Sequence, residues 1–154
     1  MARKVKDDVA TNHWVDEEGK PLDMKLFTEI ACFLYAEFLN DKANGNILEI
    51  GCGNGLILKA LKQILDRDSW QLFGTDISEE MLSRVQEKDI TLFHCDASRI
   101  PCEDNKFDLI YMHSVIQYFD NENYLDTVML ECLRSLRVGG GIVSNGCSCN
   151  LVQT

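Results

Sequence analysis

Histidine is scarce in this chain. The three residues, His13, His94 and His113, are too scattered to form a zinc ligand set. Basic residues are also few, 15 Lys and Arg against 25 Asp and Glu, for a formal net charge of −10. Phosphate backbones are bound through Lys and Arg, so this balance argues against nucleic acid as a partner. Its plainest reading is solubility. No apolar run approaches the roughly 20 residues of a membrane span, and the opening MARKVKDD has no apolar stretch of the kind a secretory signal carries. Cysteine is not lacking, but C-x-x-C spacing is. The seven residues, Cys32, Cys52, Cys95, Cys102, Cys132, Cys147 and Cys149, read as small buried side chains of a reducing compartment, with the cytoplasm as the expected location. No repeat or low-complexity tract is evident. With 154 residues, 45% of them hydrophobic, the chain is expected to be one domain with a real core.

The most informative stretch is Asn46 to Gly55, NILEIGCGNG. Ile47, Leu48 and Ile50 form the short apolar run of a strand buried on both faces. Gly51, Gly53 and Gly55 follow at every second residue, and a helical pattern begins at Leu56. A strand that ends in glycines and restarts as a helix lets a ligand approach backbone N–H groups, because no Cβ intervenes. The helix start favours an anionic ligand group. The dinucleotide fingerprint G-x-G-x-x-G does not fit, since Leu56 stands where the third glycine should be.

Along the rest of the chain, residues 1–20 read as a loose polar segment, with His13 and Trp14 as exceptions. Pro21 and an Asp23 cap precede an amphipathic helix over 24–39, carrying Met24, Phe27, Ile30, Ala31, Leu34 and Phe38. A helix from Leu56 to about Asp66 follows the glycines. Trp70, Leu72 and Phe73 form a second strand, ended by Gly74. Ser78 caps the next helix, whose Met81, Leu82 and Val85 face inward. Ile90, Leu92 and Phe93 form a third strand, and Phe107, Leu109, Ile110 and Tyr111 a fourth. Asp120 caps a long helix running to Leu136. Gly139 to Gly141 form a turn into a fifth strand, Ile142 to Ser144. Strands alternating with helices imply βαβ units with right-handed crossovers and a parallel sheet.

Ligands of open α/β sheets lie beyond the carboxyl ends of the strands. Strand one ends in Glu49 and the glycines, strand two in Asp76, strand three in Asp96 and Ala97, and strand four in His113 and Ser114. Two carboxylates at successive strand ends suit a ligand rich in hydroxyl and amino donors, because an ionised carboxylate only accepts. Taken singly, Asp76 also reads as a helix cap, Asp96 as a turn former and His113 as a hydrogen-bonded strand-end residue.

In that order and spacing, E-x-G-x-G-x-G, the Asp76 strand end, the Asp96–Ala97 pair, F-D-L-I-Y-M and LRSLRVGGGIV resemble the class I S-adenosylmethionine-dependent methyltransferases, over about Ile47 to Ser144. The resemblance implies a Rossmann-like, doubly wound, mostly parallel sheet in the order 3-2-1-4-5 with helices on both faces, within a domain over 21–154. It implies S-adenosyl-L-methionine as cofactor. Glu49, Gly51, Cys52, Gly53 and Gly55 would hold its methionine end, Asp76 with Ile77 its ribose, and Asp96 with Ala97 its adenine, while His113 lies near the methyl as a candidate general base. Family members that methylate amide or adenine nitrogens carry an N-P-P-Y type motif after strand four. His113-Ser114-Val115-Ile116 stands there instead, resembling the branch that acts on small molecules.

The family sheet ends in an antiparallel hairpin beside strand five, and the ten residues after Ser144, with Leu151 and Val152 as their large apolar side chains, are too few to build it. The expectation is an exposed strand-five edge, open to self-association or a partner chain. Two other readings stand beside methyl transfer to a small molecule. One is a module that binds the cofactor without catalysis. The other is a nicotinamide dehydrogenase, which the glycine spacing disfavours.

Overall fold

A computed structural model describes residues 24–145. Five strands form one parallel sheet in the order β3-β2-β1-β4-β5. Its strands are β1 (Gly45–Ile50), β2 (Trp70–Asp76), β3 (Thr91–His94), β4 (Phe107–His113) and β5 (Leu136–Asn145), joined through α2 (Leu56–Ile64), α3 (Glu79–Ser83) and α4 (Glu122–Ser135), with α1 (Met24–Leu34) preceding β1. This is the order and the Rossmann-like arrangement expected from the sequence. Among the described residues no helix is long and apolar enough to cross a membrane, and no strand lies outside β5. The expectations placed on His13, Trp14, Pro21, Asp23, Cys147, Cys149, Leu151 and Val152 fall outside the described residues.

The central strand β1 sends alternate side chains to opposite faces, as pleating requires. Ile47 joins a core with Leu109, Tyr111 and Val143 of the sheet and with Phe27, Ile30, Ala31 and Leu34 of α1 and Ile57, Leu58 and Leu61 of α2. Leu48 and Ile50 join the opposite core, with Ile110 and Met112 of β4 and Val128 and Cys132 of α4. Ile47, Leu48 and Ile50 are at most 1% exposed, and burying each side chain stabilises the fold by about 1.5–3 kcal/mol. β1 therefore cannot shift without emptying both cores, and the loop that follows it inherits that rigidity.

Several boundaries differ from the sequence expectations, each for a physical reason. The first helix becomes a π-helical turn at Tyr35–Leu39, which buries Leu39. Gly74 does not end β2. It lies within the strand, where a Cβ would sit 2.7 Å from Cys52 Sγ and 2.9 Å from a Leu58 methyl, so the glycine permits close approach of the β1–α2 unit. The cap of α4 is Asn121, not Asp120, with its side chain accepting from the Tyr124 backbone N–H at 2.9 Å. Leu136 begins β5 rather than ending the helix. Gly139, with φ of +80°, and its neighbours lie inside β5, where the pairing with β4 jumps from Phe107–Leu136 to Leu109–Gly141. The glycines absorb an irregularity in one long strand instead of separating helix from strand. Ser78 caps α3 as expected, its Oγ accepting from the Met81 N–H at 3.3 Å.

Candidate functional site

Parallel pairing brings the carboxyl ends of β1, β2, β3 and β4 to one rim of the sheet. Ile50 pairs with Thr75 and with Met112, and Asp76 pairs with His94. The glycine loop, Asp76, the segment after β3 and His113 therefore share that rim.

The loop is built by three left-handed residues, Gly51 at φ +70°, Gly53 at +55° and Gly55 at +78°. Space is as tight as the dihedrals are unusual. A Cβ on Gly51 would overlap Val115, the second residue past β4, and one on Gly53 would stand 3.2 Å from Met81 Cε. The loop's own donors are largely spent within the protein. Cys52 N–H donates to the Thr75 carbonyl at 2.9 Å, Gly55 N–H to the Cys52 carbonyl at 2.8 Å, and Gly53 N–H to Asp76 Oδ2 at 2.8 Å. Gly55 caps α2 with no side-chain cap bond.

Asp76 therefore has a structural duty besides the helix-start role that its sequence position suggests. One oxygen fastens the glycine loop, and Oδ1 accepts from Ser78 N–H at 2.8 Å, fixing the turn into α3. An ionised carboxylate has about four lone-pair sites, so two backbone donors leave capacity for more. Ile77 follows in the same turn, and its carbonyl is 3.0 Å from His94 Nε2.

Asp96 sits two residues past β3. Its Oδ1 gathers three donors, Ser98 N–H at 2.9 Å, Ser98 Oγ–H at 2.6 Å and Tyr124 Oη–H of α4 at 2.6 Å. Ala97 packs against the core that contains Phe107 and Val128. His113 is half-buried at the end of β4, and Ser114 after it adopts a left-handed φ of +53°. A non-glycine residue in that region is an uncommon, strained choice at a strand-to-loop switch.

Glu49 lies differently from the rest. It is 3% exposed, on the α1–α2 side of the sheet, directly paired with Tyr111, whose Oη–H donates to Glu49 Oε2 at 2.8 Å. Burial pushes the Glu49 carboxyl well above the ordinary carboxylate range. The Tyr111 hydrogen bond opposes this and the Asp76 charge adds to it. Cys52 is likewise buried beneath the loop, and burial, followed by the charges of Glu49 and Asp76, raises its thiol. Both residues underlie the glycine loop.

The sequence reading gives Tyr124, Ser98, Tyr111 and Val115 no role at the site. Tyr124 fits the apolar stripe of an amphipathic helix, and only the fold brings its hydroxyl to a carboxylate 28 residues away. Asp-x-Ser at 96–98 was the one local signal, since Asx turns favour that spacing.

Taken together, the rim offers a pinned loop of left-handed glycines, a carboxylate at β2 and another at β3. Such a set accepts from hydroxyl and amino groups, as a ribose and an exocyclic amine require. Among the described residues no cluster of His, Cys, Asp or Glu could hold a metal ion.

The methyltransferase domain family matches residues 48–144, the segment from β1 through β5. The chain is 30% identical over 105 residues to tRNA (carboxymethyluridine(34)-5-O)-methyltransferase alkbh8 of Xenopus tropicalis, covering 68% of this chain and 16% of that protein. It is 28% identical over 110 residues to the ubiquinone/menaquinone biosynthesis C-methyltransferase UbiE of Burkholderia mallei, covering 68% of this chain and 44% of that protein. The chain thus spans less than half the length of either relative. Its fold superposes with a TM-score of 0.64 on phosphoethanolamine N-methyltransferase 1 of Haemonchus contortus, solved with phosphoethanolamine and S-adenosylhomocysteine, at 19% identity and over 85% of this chain and 28% of that one.

Proposed function

The chain belongs to the methyltransferase domain family, and from that premise we propose that it binds S-adenosyl-L-methionine and directs methyl transfer to a small-molecule acceptor. One observation carries the reading most. The glycine loop after β1 is fastened by Gly53 N–H to Asp76 at the end of β2, so the loop and the β2 carboxylate form one rigid unit at the rim.

The residues fit the cofactor's chemistry. Gly51, Gly53 and Gly55 would line its methionine end, with Glu49 and Cys52 supporting the loop from below. Asp76, with Ile77 beside it, would accept from the ribose hydroxyls. Asp96 and Ala97 would meet the adenine. S-adenosyl-L-methionine supplies a methyl group already activated by a sulfonium centre. The chain's task is then to hold an acceptor in line and exclude water, and alignment of two reactants alone can supply about 7–11 kcal/mol. His113, half-buried at the end of β4, would take the proton from a hydroxyl acceptor. A carbon or amine acceptor has less need of it.

The net charge of −10 favours a small acceptor over a polyanion. A tRNA acceptor is the second reading, favoured by likeness to the Xenopus tropicalis protein. The test is transfer of label from methyl-tritiated cofactor to three pools in parallel: quinols and phenols, small amines, and bulk tRNA. Label in a small-molecule pool that disappears in Asp76→Asn supports the proposal. Label in tRNA alone overturns the small-molecule acceptor, and cofactor binding with no transfer to any pool favours a non-catalytic module.

A further inference from the structure

We infer that Tyr124 is a positioning residue, which fixes the Asp96 carboxylate toward the nucleobase of the cofactor and ties it to the loop after β4. The inference rests on the reading of Asp96 as the adenine-binding residue. Three donors meet on one oxygen of Asp96, two from Ser98 in the same turn and one from Tyr124 on α4. Local donors can hold a carboxylate within its own turn, but they move with that turn. The Tyr124 hydroxyl comes from a different element, so it fixes the carboxylate plane relative to the sheet. With Oδ1 committed, the direction of Oδ2 is determined as well. The 2.6 Å contact is short, as expected for a hydroxyl on an ionised acceptor.

The ring of Tyr124 does a second job. It meets Phe119 edge to face, with centroids 5.0 Å apart. Phe119 closes the short 3-10 turn Ile116–Tyr118, just past His113 and Val115, and Val115 is the side chain that fills the space at Gly51. Tyr124 thus touches both the base-side carboxylate and the loop that would face the acceptor. Its backbone is held too, because the Asn121 cap accepts from Tyr124 N–H.

Tyr124→Phe removes the hydroxyl and keeps the ring. Binding of S-adenosylhomocysteine is compared with binding of its inosine analogue, in which an oxo group replaces the exocyclic amine. A carboxylate held toward that amine prefers the adenine compound. Tyr124→Phe is expected to weaken S-adenosylhomocysteine by about three- to tenfold and to leave the inosine analogue nearly unchanged, so the preference shrinks. Loss of packing alone would weaken both compounds equally and leave the ratio intact. Ser98→Ala, which removes a donor that moves with the turn, should shrink the ratio less than Tyr124→Phe does, and an equal or larger effect overturns the role of Tyr124. An unchanged ratio in Tyr124→Phe, with Asp96→Asn losing the preference, overturns the role of Tyr124 and spares that of Asp96. An unchanged preference in Asp96→Asn overturns both.

Discussion

At the residue scale, the acidic side chains of the rim divide into two kinds. Asp76 and Asp96 are half-buried and gather N–H and O–H donors, whereas Glu49 is buried against Tyr111. Asp76→Asn keeps an acceptor for Gly53 N–H or Ser78 N–H but loses the charge. Hydrogen bonds to a charged acceptor are worth about 1.5–3 kcal/mol each, so S-adenosylhomocysteine affinity should fall at least about tenfold, and Tm should fall as well because one of the two backbone donors loses its acceptor. A fall in Tm with unchanged affinity would reduce Asp76 to a loop clamp. Glu49 offers a test by pH. Its folded pKa lies above the unfolded one, so the stability it contributes is complete below the unfolded value and is lost as pH rises toward the folded value. Between about pH 5 and about pH 8 the wild-type Tm should therefore fall more than that of Glu49→Gln, which mimics the neutral acid. Parallel melting curves of the two proteins check this, and identical pH dependence would mean that Glu49 is not the titrating group. The sequence singled out Glu49, Asp76 and Asp96 by their places at strand ends. It could not separate the buried carboxyl from the half-buried ones, because that depends on which neighbour, here Tyr111, faces each across the sheet.

At the scale of elements, α4 is the clamp of the β3–β4 connection. Its Glu131 accepts from Ile100 N–H at 2.7 Å, and its Arg134 donates to both Glu131 oxygens, to Asp104 and to the carbonyls of Ile100 and Cys102. Tyr124 extends the same helix's hold to Asp96. Arg134→Ala should cost about 1–2 kcal/mol, mainly by leaving the carbonyls of the connection without this donor. The Arg134 hydrogen bond also holds Glu131 below the usual carboxylate range. That contribution is present above about pH 4–5 and lost as pH falls through the folded value, so Arg134→Ala should lose less stability on acidification than the wild type. Chemical denaturation at neutral and acid pH measures both effects. Little of this clamp was legible in the chain, because its contacts join residues about 30 positions apart. The strands and helices were legible, since apolar spacing of two or 3.6 is local. Glycine misled where it had two physical uses: Gly74 reads as a strand end but makes room for Cys52, and Gly139 to Gly141 read as a turn but lie within β5.

For the whole molecule, the central claim is that the rim of the parallel sheet is an S-adenosyl-L-methionine site. The sheet order 3-2-1-4-5 was available because the strand-end motifs resemble a family that has that order. The state of the loop donors was not, since Gly53 N–H meets Asp76 only after β1 and β2 are paired. The most direct measurement is the thermal unfolding of the chain with S-adenosyl-L-methionine, S-adenosylhomocysteine or NAD, each at a series of concentrations. A ligand at about 100 times its Kd adds roughly 2.7 kcal/mol to the folded state, or several degrees in Tm for a domain of this size. The expected result is a concentration-dependent rise with both sulfur compounds and none with NAD. A cooperative transition that neither sulfur compound moves, or one that NAD alone moves, would contradict the claim.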